Sequence, residues 1–139
     1  MRSMMLLSIA ALGSVLLASG CKRYDIATVD LCPSARPAAS GVVKIEMDTV
    51  NLKVNPKECY IHSDTEVIWV SDKDSFETNF KQKSPAHDGA MKFKSKPAGV
   101  RNEASFKAKH LKATDPPETY DYLANSKGRD MDPAVIIDP

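Results

Sequence analysis

Apolar and polar positions alternate over short runs along most of this chain. From Val42 to Asp48, the apolar Val43, Ile45 and Met47 alternate with Lys44 and Glu46, the two-residue period of a strand with one buried face. The run from Val50 to Val54 ends at Asn55-Pro56. A proline has no N–H to give a ladder, so that strand is kept out of the middle of a sheet. Cys59–His62 and Thr65–Val70 follow, separated by Ser63-Asp64, and read as two paired strands joined by a tight turn. Val54, Pro56, Ile61, Val67 and Trp69 take the inward positions of this stretch. Cys59 shares the face of Ile61, and Glu58, Tyr60 and His62 share the other. Weaker strand patterns cover Phe76–Lys81 and Ala90–Lys94, either side of a loop with Pro85 and Gly89, then Ala104–Lys109, Glu118–Ala124 and the apolar Ala134–Asp138. No helical period competes with these. Seven or eight short strands with turn signals between them predict an all-β fold, a Greek-key β-sandwich.

One stretch breaks the alternation. After Arg2 the chain is uncharged and mostly apolar from Met4 to Ala18, then reaches Ser19-Gly20-Cys21, the layout of a secretory signal with small residues before a cysteine. The apolar run is shorter than a membrane span requires. Leu17-Ala18-Ser19-Gly20-Cys21 resembles the bacterial lipobox, with Leu17 one place further from the cysteine than in the commonest pattern. The resemblance implies a signal peptide over 1–20, a diacylated Cys21 as the new N-terminus and a protein held by lipid in the cell envelope. Lys22 after the cysteine resembles the pattern that sorts such proteins to the outer membrane, facing the periplasm. The alternative is an ordinary signal with Cys21 in a disulfide.

With Cys21 taken by lipid, Cys32 and Cys59 remain as an even pair in an oxidising compartment. A disulfide between them is expected to tie the N-terminal segment to the sandwich. Cys59 as a thiolate metal ligand is the competing reading. Residues 21–41, rich in Ala, Pro and Ser towards their end, read as a linker that holds a domain of residues 42–139 off the membrane.

The order from Pro56 onward, a proline, a strand, a tight turn, a Val-x-Trp strand and then a polar loop with Asp72 and Asp74, resembles the cupredoxins, the small blue-copper proteins. The resemblance covers most of the chain from Val42 to Asp138. It implies two imidazoles and a thiolate in a trigonal plane around copper, with a weak axial sulfur. This sequence departs from that set. Glu77 stands where the first histidine is expected, and Ala124 follows Tyr120-Asp121-Tyr122-Leu123 where the cysteine is expected. No histidine lies between Asn125 and Pro139, and only Met131 matches a ligand type. Loss of the thiolate and both imidazoles predicts a domain with no cofactor. A rearranged, non-blue site would draw on Met131 with His62, His87 or His110, or with Glu77. The histidines have no metal-ligand spacing, and each reads first as a surface residue.

Charge adds one further feature. Removing residues 1–20 leaves 18 basic and 18 acidic side chains, but they are unevenly placed. Between Lys81 and Lys112 nine basic residues stand against Asp88 and Glu103. Lys92, Lys94, Lys96, Lys107 and Lys109 are candidates for a basic face that would meet an acidic envelope protein or an anionic envelope component. Protection of an edge strand by lysines is an equal reading of the same residues. Asp72, Asp74 and Glu77 lack the ligand ladder and glycine of a calcium loop and read as a solvated turn. No GxSxG, HExxH or phosphate-cradling glycine loop is present, which argues against an enzyme. The basic residues come without interleaved aromatics, so nucleic acid is set aside as a partner. The sequence therefore predicts a lipid-anchored, non-catalytic binding or structural module, with an inhibitor or immunity protein as one form. The alternative is a periplasmic metal-handling or electron-transfer protein.

Overall fold

The computed structural model describes residues 24–139, so the lipidation expected at Cys21 lies outside the described residues. Eleven strands follow one short 3-10 turn, Ile26–Thr28. They are β1 (Val42–Asp48), β2 (Lys53–Asn55), β3 (Glu58–His62), β4 (Glu66–Ser71), β5 (Glu77–Phe80), β6 (Lys92–Lys94), β7 (Lys96–Ala98), β8 (Arg101–Lys107), β9 (Glu118–Ser126), β10 (Arg129–Met131) and β11 (Ala134–Asp138). Four of them, β2, β6, β7 and β10, have only three residues; β2 and β6 overlap the runs expected at Val50–Val54 and Ala90–Lys94, β7 and β10 overlap none, and β4 and β11 are buried along almost their whole length rather than alternating.

The strands form two mixed sheets, consistent with a β-sandwich. The first has the order β2-β1-β4-β8-β7 and the second β3-β11-β9-β5-β6, with β10 added to β9 beyond the end of β11. β1 runs parallel to β4, and β3 parallel to β11; the other pairs are antiparallel. Pro56 follows β2 at the outer edge of the first sheet, the position its missing N–H requires.

The tight turn at Ser63-Asp64 corrects the pairing expected around it. β3 and β4 are not hydrogen-bonded to each other; each belongs to a different sheet. Asp64 takes a left-handed φ of 64°, and the chain arches from the second sheet to the first. The physical reason lies in the inward residues. Cys59 and Ile61 of β3 and Val67 and Trp69 of β4 are all fully buried, and placing the strands face to face lets both pairs fill one core.

The centre of that core is aromatic. Trp69, Phe80, Phe93, Phe106 and Tyr122 pack with ring centroids 5.1 to 6.2 Å apart, in tilted and edge-on arrangements suited to ring quadrupoles. The one polar link inside this cluster runs from Trp69 Nε1, which donates to Tyr122 Oη at 3.0 Å.

Residues 24–41 are built into the domain, which changes the reading of this stretch as a spacer. Ile26 packs with Ile68 and Val70 on the outer face of the first sheet, where Tyr24 and Val42 adjoin it. Further along, Cys32 N donates to Lys44 O at 2.8 Å, and Lys44 N donates to Asp30 O at 2.9 Å, so the segment lines the open side of β1. It then crosses to β3: Tyr60 N donates to Pro33 O, Ala39 N to Tyr60 O and His62 N to Ala39 O. Between these two sets of bonds Cys32 is joined to Cys59, with a Cα–Cα separation of 5.5 Å, the disulfide expected from the cysteine count. Arg36 adds a two-pronged ion pair with Asp138 at 2.9 and 2.8 Å and lies 5.0 Å from the Tyr60 ring centroid. The segment is thus a seam that closes one side of both sheets.

Candidate functional site

Strand register brings together the positions that the cupredoxin resemblance assigns to copper. Thr78 of β5 stands opposite Ala124 of β9, Glu77 opposite Asn125, and Met131 of β10 opposite Ala124 on its other side. Thr78 and Ala124 are fully buried and Met131 nearly so. Alternation decides which side chains enter the core. Thr78, Ala124 and Met131 face inward, whereas Glu77, the residue expected at a ligand-type position, faces out.

This end of the core offers a single sulfur and a hydroxyl. Thr78 Oγ1 is buried without a hydrogen-bond partner. Glu77, outside, accepts from Asn79 Nδ2 at 3.1 Å and pairs with Lys92 at 3.3 Å and Lys94 at 4.0 Å. The Asn79 hydrogen bond, followed by the lysines, holds its carboxyl below the usual carboxylate range.

The other proposed ligands lie at the far end of the sandwich. His62 ends β3 opposite Asp138, near the level where Ile137 meets Glu118. Along β9, the stretch from Glu118 to Ala124 spans about 20 Å at a strand's rise. His110 Nδ1 lies 2.9 Å from Asp64 Oδ2, His62 Nδ1 lies 3.3 Å from Pro139 O, and His87 donates its backbone N–H to Lys107 O. A site combining His62 or His110 with Glu77 or Met131 is therefore not assembled. Among the described residues no three His, Cys, Asp or Glu side chains stand together as a metal cage. Cys59 is consumed by its disulfide.

The carboxylates of the loop after β4 do not converge either. Asp72 pairs with Arg101 at 3.2 Å. Asp74 accepts from Lys127 at 2.9 Å and from Thr49 Oγ1 at 3.0 Å, and these two bonds lower its pKa.

The five lysines expected on one basic face are distributed over three places. Lys92 and Lys94 project from β6 on the outer side of the second sheet and share Glu77. The chain then crosses between sheets at Ser95, whose N–H donates to Phe76 O and whose hydroxyl accepts from Phe76 N. Because of that crossing, Lys96 lies in the first sheet opposite Glu103, and Lys107 lies opposite Glu66 on the same outer face. Lys109 belongs to a third group. With Lys83 it flanks the buried Tyr120, their Nζ atoms 4.9 and 4.8 Å from the ring centroid, and each pairs with Glu118 at 3.4 Å. The Tyr120 hydroxyl donates to Glu118, and this bond, ahead of the lysines, lowers the Glu118 pKa.

Two features escaped the sequence reading. Thr78 was legible in principle, since it is the residue of β5 in phase with Phe76 and Phe80. Tyr24 and Ile26, which cover the first sheet, sit in a segment with no strand period, and nothing in their spacing signals that role. Comparisons with protein-family models, curated proteins and solved structures return no match to this chain.

Proposed function

We propose that this chain is a lipid-anchored protein of the bacterial cell envelope whose sandwich, a cupredoxin-like Greek key in which the copper ligands are replaced, serves as a non-catalytic binding or structural module. The observation that carries this reading is the register of Thr78, Ala124 and Met131. The three positions adjoin one another at one end of the second sheet, and they supply one thioether where a blue-copper centre needs two imidazoles and a thiolate. Consecutive strands that pass between two mixed sheets support the Greek-key part of the reading.

An acidic partner in the envelope enters through β6. Lys92 and Lys94 share the single carboxylate of Glu77, so this edge keeps a net positive charge, and the same lysines discourage another strand from pairing there. An inhibitor or immunity protein that caps an envelope enzyme is one form of such a module. The test is a pull-down from envelope extracts with the intact chain and with a Lys92→Gln, Lys94→Gln variant. Capture of one defined partner by the first and weaker capture by the second is the expected result. No capture, together with stoichiometric copper uptake that Met131→Ala abolishes, would replace this reading with metal handling.

The anchor has its own check. Replacing residues 1–21 with an ordinary cleavable signal should move the protein from the membrane fraction into the soluble fraction, since neither an acyl chain nor the apolar Met4–Ala18 segment would then hold it. Unchanged fractionation would remove lipid from the account.

A further inference from the structure

From Tyr24 onward the chain is bound to the fold, and Tyr24 follows Cys21 by only three residues. Tyr24 is fixed by its hydroxyl, which donates to Glu66 Oε2 at 3.0 Å. Ile26 is buried against Ile68 and Val70, and its carbonyl accepts from Lys44 Nζ at 3.1 Å. Beyond it come the backbone bonds to β1 and the disulfide to β3. Cys21 precedes Tyr24 by three residues, a reach of at most about 11 Å even fully extended. A free linker of twenty residues would instead span about 25 Å on average and leave the domain free to turn.

From this we propose that the outer face of the first sheet lies directly against the phospholipid surface that holds the anchor, with the outer face of the second sheet turned to the periplasm. The proposal rests on lipidation of Cys21. The two sheets stand about 10 Å apart and each outer face adds a side-chain layer of about 5 Å, half that spacing, so a surface touching the second sheet lies about 20 Å from Tyr24, beyond the tether of about 11 Å.

The chemistry around Tyr24 suits a headgroup layer. Lys107 and Lys96 project from this face opposite Glu66 and Glu103, an array of alternating charges that matches zwitterionic headgroups. Pro97, Ala98 and the 92 % exposed Val100 form an aliphatic rim at the β7–β8 turn. The same orientation places Lys92 and Lys94 on the side open to a soluble or envelope-bound partner.

The lysines themselves are the probes. Lipidated full-length protein in vesicles of phosphatidylethanolamine and phosphatidylglycerol is treated with a membrane-impermeant acylating reagent, alongside the soluble protein secreted behind an ordinary cleavable signal in place of residues 1–21, and modification is read lysine by lysine with the mass of the N-terminal peptide. On vesicles, Lys96 and Lys107 should lose reactivity several-fold while Lys92 and Lys94 keep theirs. Equal reactivity of the two pairs on protein whose Cys21 carries lipid overturns the orientation and leaves the anchor standing. An unmodified Cys21 overturns both.

Discussion

Thr78 is the residue where the core departs most clearly from its own rules. A hydroxyl buried without a partner costs on the order of 1–3 kcal/mol relative to a satisfied one, and Thr78 Oγ1 has none. Valine has the same shape and no polar atom. Thr78→Val should therefore raise the free energy of unfolding by about 1 kcal/mol, read as a shift of the urea midpoint at unchanged slope. A loss of stability would show that the hydroxyl is satisfied. Trp69 and Tyr122 give the opposite case. Removing the phenol oxygen by Tyr122→Phe strands the buried indole N–H, and stability should fall by about 1–3 kcal/mol in the same assay.

At the scale of elements, the N-terminal seam is the part on which the others depend. It satisfies the backbone of β1 and β3 on their open sides and covers Ile68 and Val70. The Cys32–Cys59 link closes a loop of sequence separation 27, worth roughly 3.5 kcal/mol in the chain-entropy model. Denaturation with and without reductant should show a loss of that order. Ile26→Ala, which uncovers β4 without touching the disulfide, should cost about 2 kcal/mol. These two changes also mark where sequence reading succeeds and stops. β1 follows from alternation, β4 and β11 from their apolar runs and the disulfide from cysteine parity, because side-chain burial and thiol pairing are written in residue types. The seam holds β1 and β3 through Asp30, Pro33 and Ala39 main-chain atoms, which any residue provides, so an Ala/Pro/Ser stretch reads as a spacer. The β3–β4 arch was hidden for a related reason. Periodicity states that Ile61 and Trp69 point inward, and it is silent on whether their strands sit side by side or face to face. Where β5 meets β9, the spacing after Trp69 led to Glu77, and only the phase of β5 identifies the buried Thr78.

For the molecule as a whole, strand pairing turns an uneven charge sequence into a set of local ion pairs. The basic residues between Lys81 and Lys112 meet the acidic flanks as Lys81–Asp132, Lys83–Glu118, Lys92–Glu77, Arg101–Asp72 and Lys109–Glu118. Most are solvent-exposed, and such pairs individually add little to stability. Their joint effect is legible in pH dependence. Glu118, Asp74, Glu77 and Asp48 are all held below their ordinary pKa in the folded state, first by hydrogen bonds from Tyr120, Lys127, Asn79 and Asn51 respectively. A carboxylate depressed on folding contributes stability that is complete above its unfolded value and disappears as pH falls through its folded one. Tyr120 and Tyr122 shift the other way, both raised from 10.0, chiefly by burial. A raised group contributes stability below its unfolded pKa that is lost as pH climbs beyond it. The midpoint temperature should therefore be flat from about pH 5 to 9, between the unfolded carboxylate and tyrosine values, and fall by several degrees on each side. Glu118→Gln should flatten part of the acid limb, because Tyr120, Lys83 and Lys109 all act through that one carboxylate. An acid limb unchanged in Glu118→Gln would show that this cluster is not coupled to folding.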